Sequence, residues 1–421
     1  MLTATINNAV QTSLRRQVTH WKQAAQRMST LDHLASGSAW HGIDQNLGIL
    51  LVESLKKSVN EVVENAESIS RQLETSNEPA ALRAVKRSII ALRDQYLKAE
   101  ESIHFYTVAI NSRTTSNTAA LLRACDVLCM KSMQELLQPL GKTAPAVLTY
   151  VDKGVGASIL KAGLKLWDGK MSPVAAIKVT QHNLFRPTAI IHETGHQVAH
   201  MTGWNEELSD ALEKNLTSHP KVVGSATSNW ASEIAADAFA FVHTGYAAIA
   251  SLHDVVCAGP ASVFAYHQHD PHPISYVRVL LGIEMCRQFY GAGPWDDLEV
   301  SFKNDYDINL VNFPSVGLIQ MCVKALPEMV HVILKSPFRA FNGQSLSQII
   351  PPSRVSPREL QKLEYLAGDA LYTSHAWIWK ESIKLLALLG YKIGTGEGDL
   401  ASYYRLQEKW MIKLGFSVEL N

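Results

Sequence analysis

The sequence predicts an α+β protein that is mostly α, with a small mixed β-sheet flanked by helical regions. Three observations carry that expectation. The first third of the chain keeps an apolar rhythm in steps of three and four. Short apolar or alternating runs divided by Gly and Pro occupy about 145–180, and helical periods return from 186 to the end. In order, Leu55, Val59, Val62, Ala66, Ile69 and Leu73 mark one helical seam. After ETSNEP, with Pro79 placed to start a helix, Leu82, Val85, Ile89, Leu92, Tyr96, Ala99, Ile103 and Tyr106 mark a second. Two long helices with matching seams and a short link should fold back as an antiparallel hairpin, either as a layer of a helical domain or as a surface that recruits a protein partner. The polar run NSRTTSNT (111–118) closes an N-terminal helical region, 1–118. A helix is expected at about 119–138, then strands in PAVLTYVD (145–152), GASILKAG (156–163) and SPVAAIKVT (172–180). GAGPWDD (291–297) and PPSRVSP (351–357) punctuate the rest, so a core at 119–295 and a C-terminal helical lobe at 296–421 are expected.

Lys and Arg number 39, as do Asp and Glu, so the formal net charge is zero. That balance gives no reason to expect nucleic acid or an anionic membrane as the main partner. The start of the chain has no continuous apolar core of the secretory kind. No run reaches the roughly 20 uninterrupted apolar residues of a membrane helix. The nearest, 234–252, carries Asp237 and His243 and reads as a buried helix. Five cysteines without a tight framework fit reduced thiols, hence a cytoplasmic setting or export without a cleaved signal peptide.

The stretch TAIIHETGHQVAHMTG (188–203) carries the chemistry. On a helix, residues four apart share a face, so His192 and His196 can offer two imidazoles to one ion, with Glu193 leaning in from the side. Two neutral imidazoles suit one Zn²⁺, which needs a third protein ligand and an open position for water. Zinc acidifies that water and a glutamate takes its proton. His200 lies about 12 Å further along the axis, too far to share the ion. A third histidine six residues after His196 would make a metzincin, but that position is Thr202.

The third donor is expected in NWASEIAADAFAFV (229–242), where Glu233 sits on a strongly apolar helix. A carboxylate there is costly to bury unless it is paired or binds a metal. Asp237, one turn later, repeats the puzzle. Glu233 as ligand, and Asp237 as acceptor of the remaining ring N–H of His192 or His196, answers both. With these pieces, the chain resembles the gluzincins, most closely the HtpX-like and CAAX-prenyl-protease group. HETGH, then EIAADAFA, then HPISYVR stand in that group's order over about 145–280. The resemblance implies a zincin-like metallopeptidase core, with His192, His196 and Glu233 as zinc ligands and Glu193 as general base. It also implies that His272 and Arg278 lie near the substrate or the oxyanion. That group is often membrane-embedded, so its membrane and prenylated substrates are not carried over.

YHQHDPHPISYVRV (266–279) supplies His272 as the first donor to a developing oxyanion and Tyr276 as the second. Arg278 is placed to hold a substrate carboxylate or to brace Asp237. A second metal at His267 and His269 has only weak support from spacing. Cys125 and Cys129 read as small core residues, GTGEGD (394–399) as a turn, and Trp377 and Trp379 as core. The expected activity is that of a zinc-dependent endopeptidase on a protein or peptide substrate. The substrate would lie along an exposed edge strand at 172–180, with the insert 201–228 as one wall of the cleft. The alternatives are a non-catalytic metal-binding scaffold that recruits a partner through its N-terminal helices, and a zinc hydrolase of non-peptide amides or esters.

Overall fold

An apolar side chain every third or fourth residue gives a helix one stripe to bury, and the N-terminal helices are built on such stripes. In a computed structural model, which describes residues 2–30 and 34–417, α1 spans Leu2–Met28, α2 Gln45–Thr75 and α3 Pro79–Asn111. Asp44 caps α2, its side chain accepting the Leu47 N–H at 3.0 Å, and Pro79 stands in the first turn of α3. Leu55, Val59, Val62, Ala66, Ile69 and Leu73 face Leu82, Val85, Ile89 and Leu92 across the hairpin, all buried, as expected. Helix α1, which the periodicity had not separated from its neighbours, adds Leu14, Val18 and Ala25 to that core.

The chain divides into two compact units, 1–119 with 160–175, and 120–159 with 176–421. The first unit includes a hairpin tip that turns at Gly169 (φ +83°), where the Leu166 N–H donates to the Lys170 carbonyl at 2.7 Å. Ser172 Oγ of that segment lies 2.8 Å from the Tyr106 hydroxyl.

The second unit holds α4 (Ser116–Leu137) from residue 120 onward, all but the end residues Leu160 and Ala175 of the sheet, and every later helix. Strands β1 (Val147–Val151), β2 (Ser158–Leu160) and β3 (Ala175–Val179) form a small mixed sheet in the order β1-β3-β2. The expected edge strand at 172–180 is therefore corrected: β3 is central and both its backbone edges are already paired. Its near-continuous burial is what a strand covered on both faces requires. The free edges belong to β1 and β2.

Helix α5 (Ala189–Thr202) ends at Gly203, whose φ of +74° is the left-handed stop that glycine permits. Then come α6 (Trp204–Asn215), α7 (Lys221–Asn229) and α8 (Ala231–Thr244). The run 234–252 is buried, but as two helices: Gly245 (φ +57°) separates α8 from α9 (Tyr246–Val256). Helices α10 (Ser275–Tyr290), α11 (Pro294–Asp305) and α12 (Val316–Val330) follow. Helix α12 continues into a π-turn, His331–Lys335. By length and composition Val316–Lys335 could cross a membrane, yet it contains Lys324, Pro327 and Glu328 and packs on α10. Cys125 and Cys129 are fully buried, and 394–399 forms a turn with Gly396 and Gly398 at positive φ. Trp377 and Trp379, expected in the core, stand instead at its margin on α13 (His375–Gly394). Both are half-buried, with Lys131 Nζ 4.3 Å from the Trp379 ring centre. The buried stripe begins between them, at Ile378.

Candidate metal centre

The site begins with how closely α5 and α8 approach. Gly195 permits it: a Cβ there would meet Ala236 Cα at 2.8 Å and Phe239 Cβ at 3.0 Å. Ile190, Ile191, Val198 and Ala199 bury the other side of α5. The imidazoles of His192 and His196 are left side by side, ring centres 4.8 Å apart and nearly perpendicular.

Glu233, buried on α8, faces both. Its Oε2 lies 3.4 Å from His192 Nε2 and its Oε1 3.3 Å from His196 Nε2. A tetrahedral zinc with ligands at about 2.0–2.1 Å separates its ligand atoms by about 3.4 Å. Among the described residues, this is the one group of three or more such side chains with ligand atoms within 4.8 Å of one another. The donor set and spacing fit one Zn²⁺.

The surrounding shell orients these donors. His192 Nδ1 lies 2.8 Å from Asp237 Oδ1, so Asp237 accepts from His192, not from His196. His196 Nδ1 lies 3.3 Å from Ser232 Oγ. Both contacts turn an Nε2 toward Glu233. Arg278 donates to Asp237 through Nε (2.6 Å) and Nη2 (2.8 Å), and Nη2 lies 3.1 Å from Glu233 Oε2. Its guanidinium braces two carboxylates and is not free for a substrate carboxylate, which corrects that expectation in favour of the brace. Glu193, Glu233 and Asp237 are three carboxylates in a buried site against one guanidinium. A buried site so rich in carboxylates favours a bound cation.

Electrostatics follow from this packing. Burial opposes charge on His192, but Asp237 and Glu233 outweigh it and raise the imidazole to about 10. Burial works against the Glu233 carboxylate too, yet His192, His196 and Arg278 hold it far below its ordinary range. Glu193 goes the other way. Burial, aided by Glu233 and opposed by both histidines, pushes its carboxyl up, which makes it a better proton acceptor.

His272 is brought to the rim of the group. It is 60% exposed, with Nε2 3.6 Å from Glu233 Oε1 and Nδ1 2.7 Å from Asp270 Oδ1. Asp270 also accepts the His272 backbone N–H at 2.9 Å. Tyr276 is not brought there: it is buried between Phe264 and Phe302, ring centres 5.3 and 5.4 Å away, and is dropped as an oxyanion donor. His200, His267 and His269 are exposed and outside the ligand group. Sequence reasoning missed Ser232 and Asp270. Each left a signal, a hydroxyl beside the buried Glu233 and an Asp two residues before His272. Compared with known proteins, the chain matches no family model, no curated protein and no solved structure.

Proposed function

We propose that the protein is a zinc-dependent endopeptidase. The observation that carries this reading is that the two Glu233 carboxylate oxygens lie 3.4 Å from His192 Nε2 and 3.3 Å from His196 Nε2, beside a buried second carboxylate, Glu193. His192, His196 and Glu233 would hold the ion, which when bound acidifies a water molecule and polarises the scissile carbonyl. Glu193 then accepts the water proton and hands it to the leaving amine. A ligand-only site has no use for this second carboxylate. Asp237 and Ser232 keep the two imidazoles in the tautomer that faces the ligand group, and Arg278 offsets the charge of Glu233 and Asp237. His272, exposed at the rim and oriented by Asp270, is the donor to the oxyanion that develops on the substrate.

The test pairs metal content with turnover. Purified protein should carry about one zinc per chain by mass spectrometry. Glu193→Gln should keep the zinc and lose peptide-library cleavage by about 10²–10⁴-fold. Cleavage by Glu193→Gln at the wild-type rate would overturn the peptidase reading, as would a wild-type protein that keeps no zinc.

A further inference from the structure

Away from the metal centre, helix α6 and the π-turn that ends α12 enclose a groove of about 750 Å³, a size ordinary for a binding site. Its floor is apolar, with Val332 and Phe338 buried beside Ala211. Its rim is acidic: Glu206, Glu207, Asp210 and Glu328 stand against one lysine, Lys214, and one arginine, Arg339.

The carboxylates of the rim are unequally occupied. Lys214 pairs with Asp210 at 2.8 Å, with both side chains about 70% exposed, and Arg339 reaches Glu207 with its side chain 93% exposed. The Lys214–Asp210 pair is worth little and exchanges readily for another cation. Glu207, by contrast, is only 20% exposed and also accepts the Ala340 backbone N–H at 3.1 Å. Glu328 already accepts from Ser218 Oγ and faces His219. Glu206 is exposed and enters no ion pair among the described residues.

We propose that this groove docks a basic segment of a partner protein, with arginine or lysine heads on the acidic rim. The alkyl stems of such side chains suit the Val332–Phe338 floor. Spaced carboxylates along α6 favour a chain that carries several cations over a single one, which is why a peptide segment is the occupant. The proposal does not depend on the zinc reading, and its test reads binding alone.

Fluorescence anisotropy on the full chain would compare a labelled alternating Arg–Ala peptide, a Glu–Ala counterpart and a Ser–Gly control at low salt. The arginine peptide should bind about tenfold or more tighter than the control and weaken as salt is raised. Glu206→Gln with Asp210→Asn should abolish that preference while keeping the fold by circular dichroism, with at most a small drop in melting temperature. Both residues are exposed, but Glu206 stands in the first turn of α6 and Asp210 pairs with Lys214. Equal binding of all three peptides would overturn the proposal, as would undiminished binding by the double variant. Binding of spermine but not of the arginine peptide would overturn it too, and would assign the groove to small polyamines.

Discussion

Asp237 serves two masters: it accepts the Nδ1–H of His192 and both arms of the Arg278 fork. Asp237→Asn keeps an acceptor for one of them but removes the charge that holds both. Metal affinity should fall about 10–100-fold, read by competition with a chromophoric chelator. Unchanged affinity would remove Asp237 from the site. A second buried histidine makes a pH prediction. His243 is fully buried on α8, with Nδ1 3.2 Å from Glu135 Oε2 and 2.9 Å from Arg354 Nη2. Burial lowers its value below the ordinary 6.5, despite the raising effect of Glu135. The unfolded chain then takes up this proton at a higher pH than the folded one. The contribution is therefore favourable above about 6.5 and declines as pH falls below it. Urea midpoints should drop between pH 7.5 and 5.5, and His243→Gln should flatten that part of the profile. An equal drop in the variant would assign the effect elsewhere.

Among the elements, the α5–α8 contact matters most. The spacing of His192, His196 and Glu233 is set by how near the two helix axes come at Gly195. Gly195→Ala puts a methyl group against the Ala236 backbone, so the helices must part. The expected cost is about 1–3 kcal/mol in denaturant midpoint, with loss of bound metal. Ala236→Gly should not rescue it, because the closest atom is Ala236 Cα and remains. A variant with normal stability and full metal content would show that the helices need not touch there. The sheet teaches a related lesson. AAIKV reads as a strand from its residues alone, and its unbroken apolar run was the available sign of a central position. Alternation on one face would have suited the edge role first assigned to 172–180.

Across the molecule, metal and folding should be linked if the ion is held as proposed, because the three candidate ligands come from two helices and meet only in the folded chain. A ligand at about a thousand times its dissociation constant adds about 4 kcal/mol to stability. Removing zinc with a chelator should thus lower the melting temperature by several degrees, and restoring zinc should reverse it. A melting curve indifferent to both treatments would argue against a resident ion. The chelator should also leave the peptide preference of the α6 groove intact, since no metal ligand lines it.

Local spacing was enough to read the long helical hairpin, the three strands and the pairing of His192 with His196. Helical and strand periods are properties of neighbouring residues, and a stripe that must leave water announces itself in the chain. Glu233 and Asp237 were legible for the same reason, as charges stranded in an apolar helix. The choice of His192 over His196 as Asp237's partner came only from packing. So did the burial of Tyr276 among Phe264 and Phe302, and the diversion of Arg278 to Asp237 and Glu233. Helix α10 is apolar around most of its circumference, so periodicity cannot say which way Tyr276 or Arg278 points. That is decided by the helices that close on it from distant parts of the sequence, where the cost of an unpaired buried charge selects one arrangement.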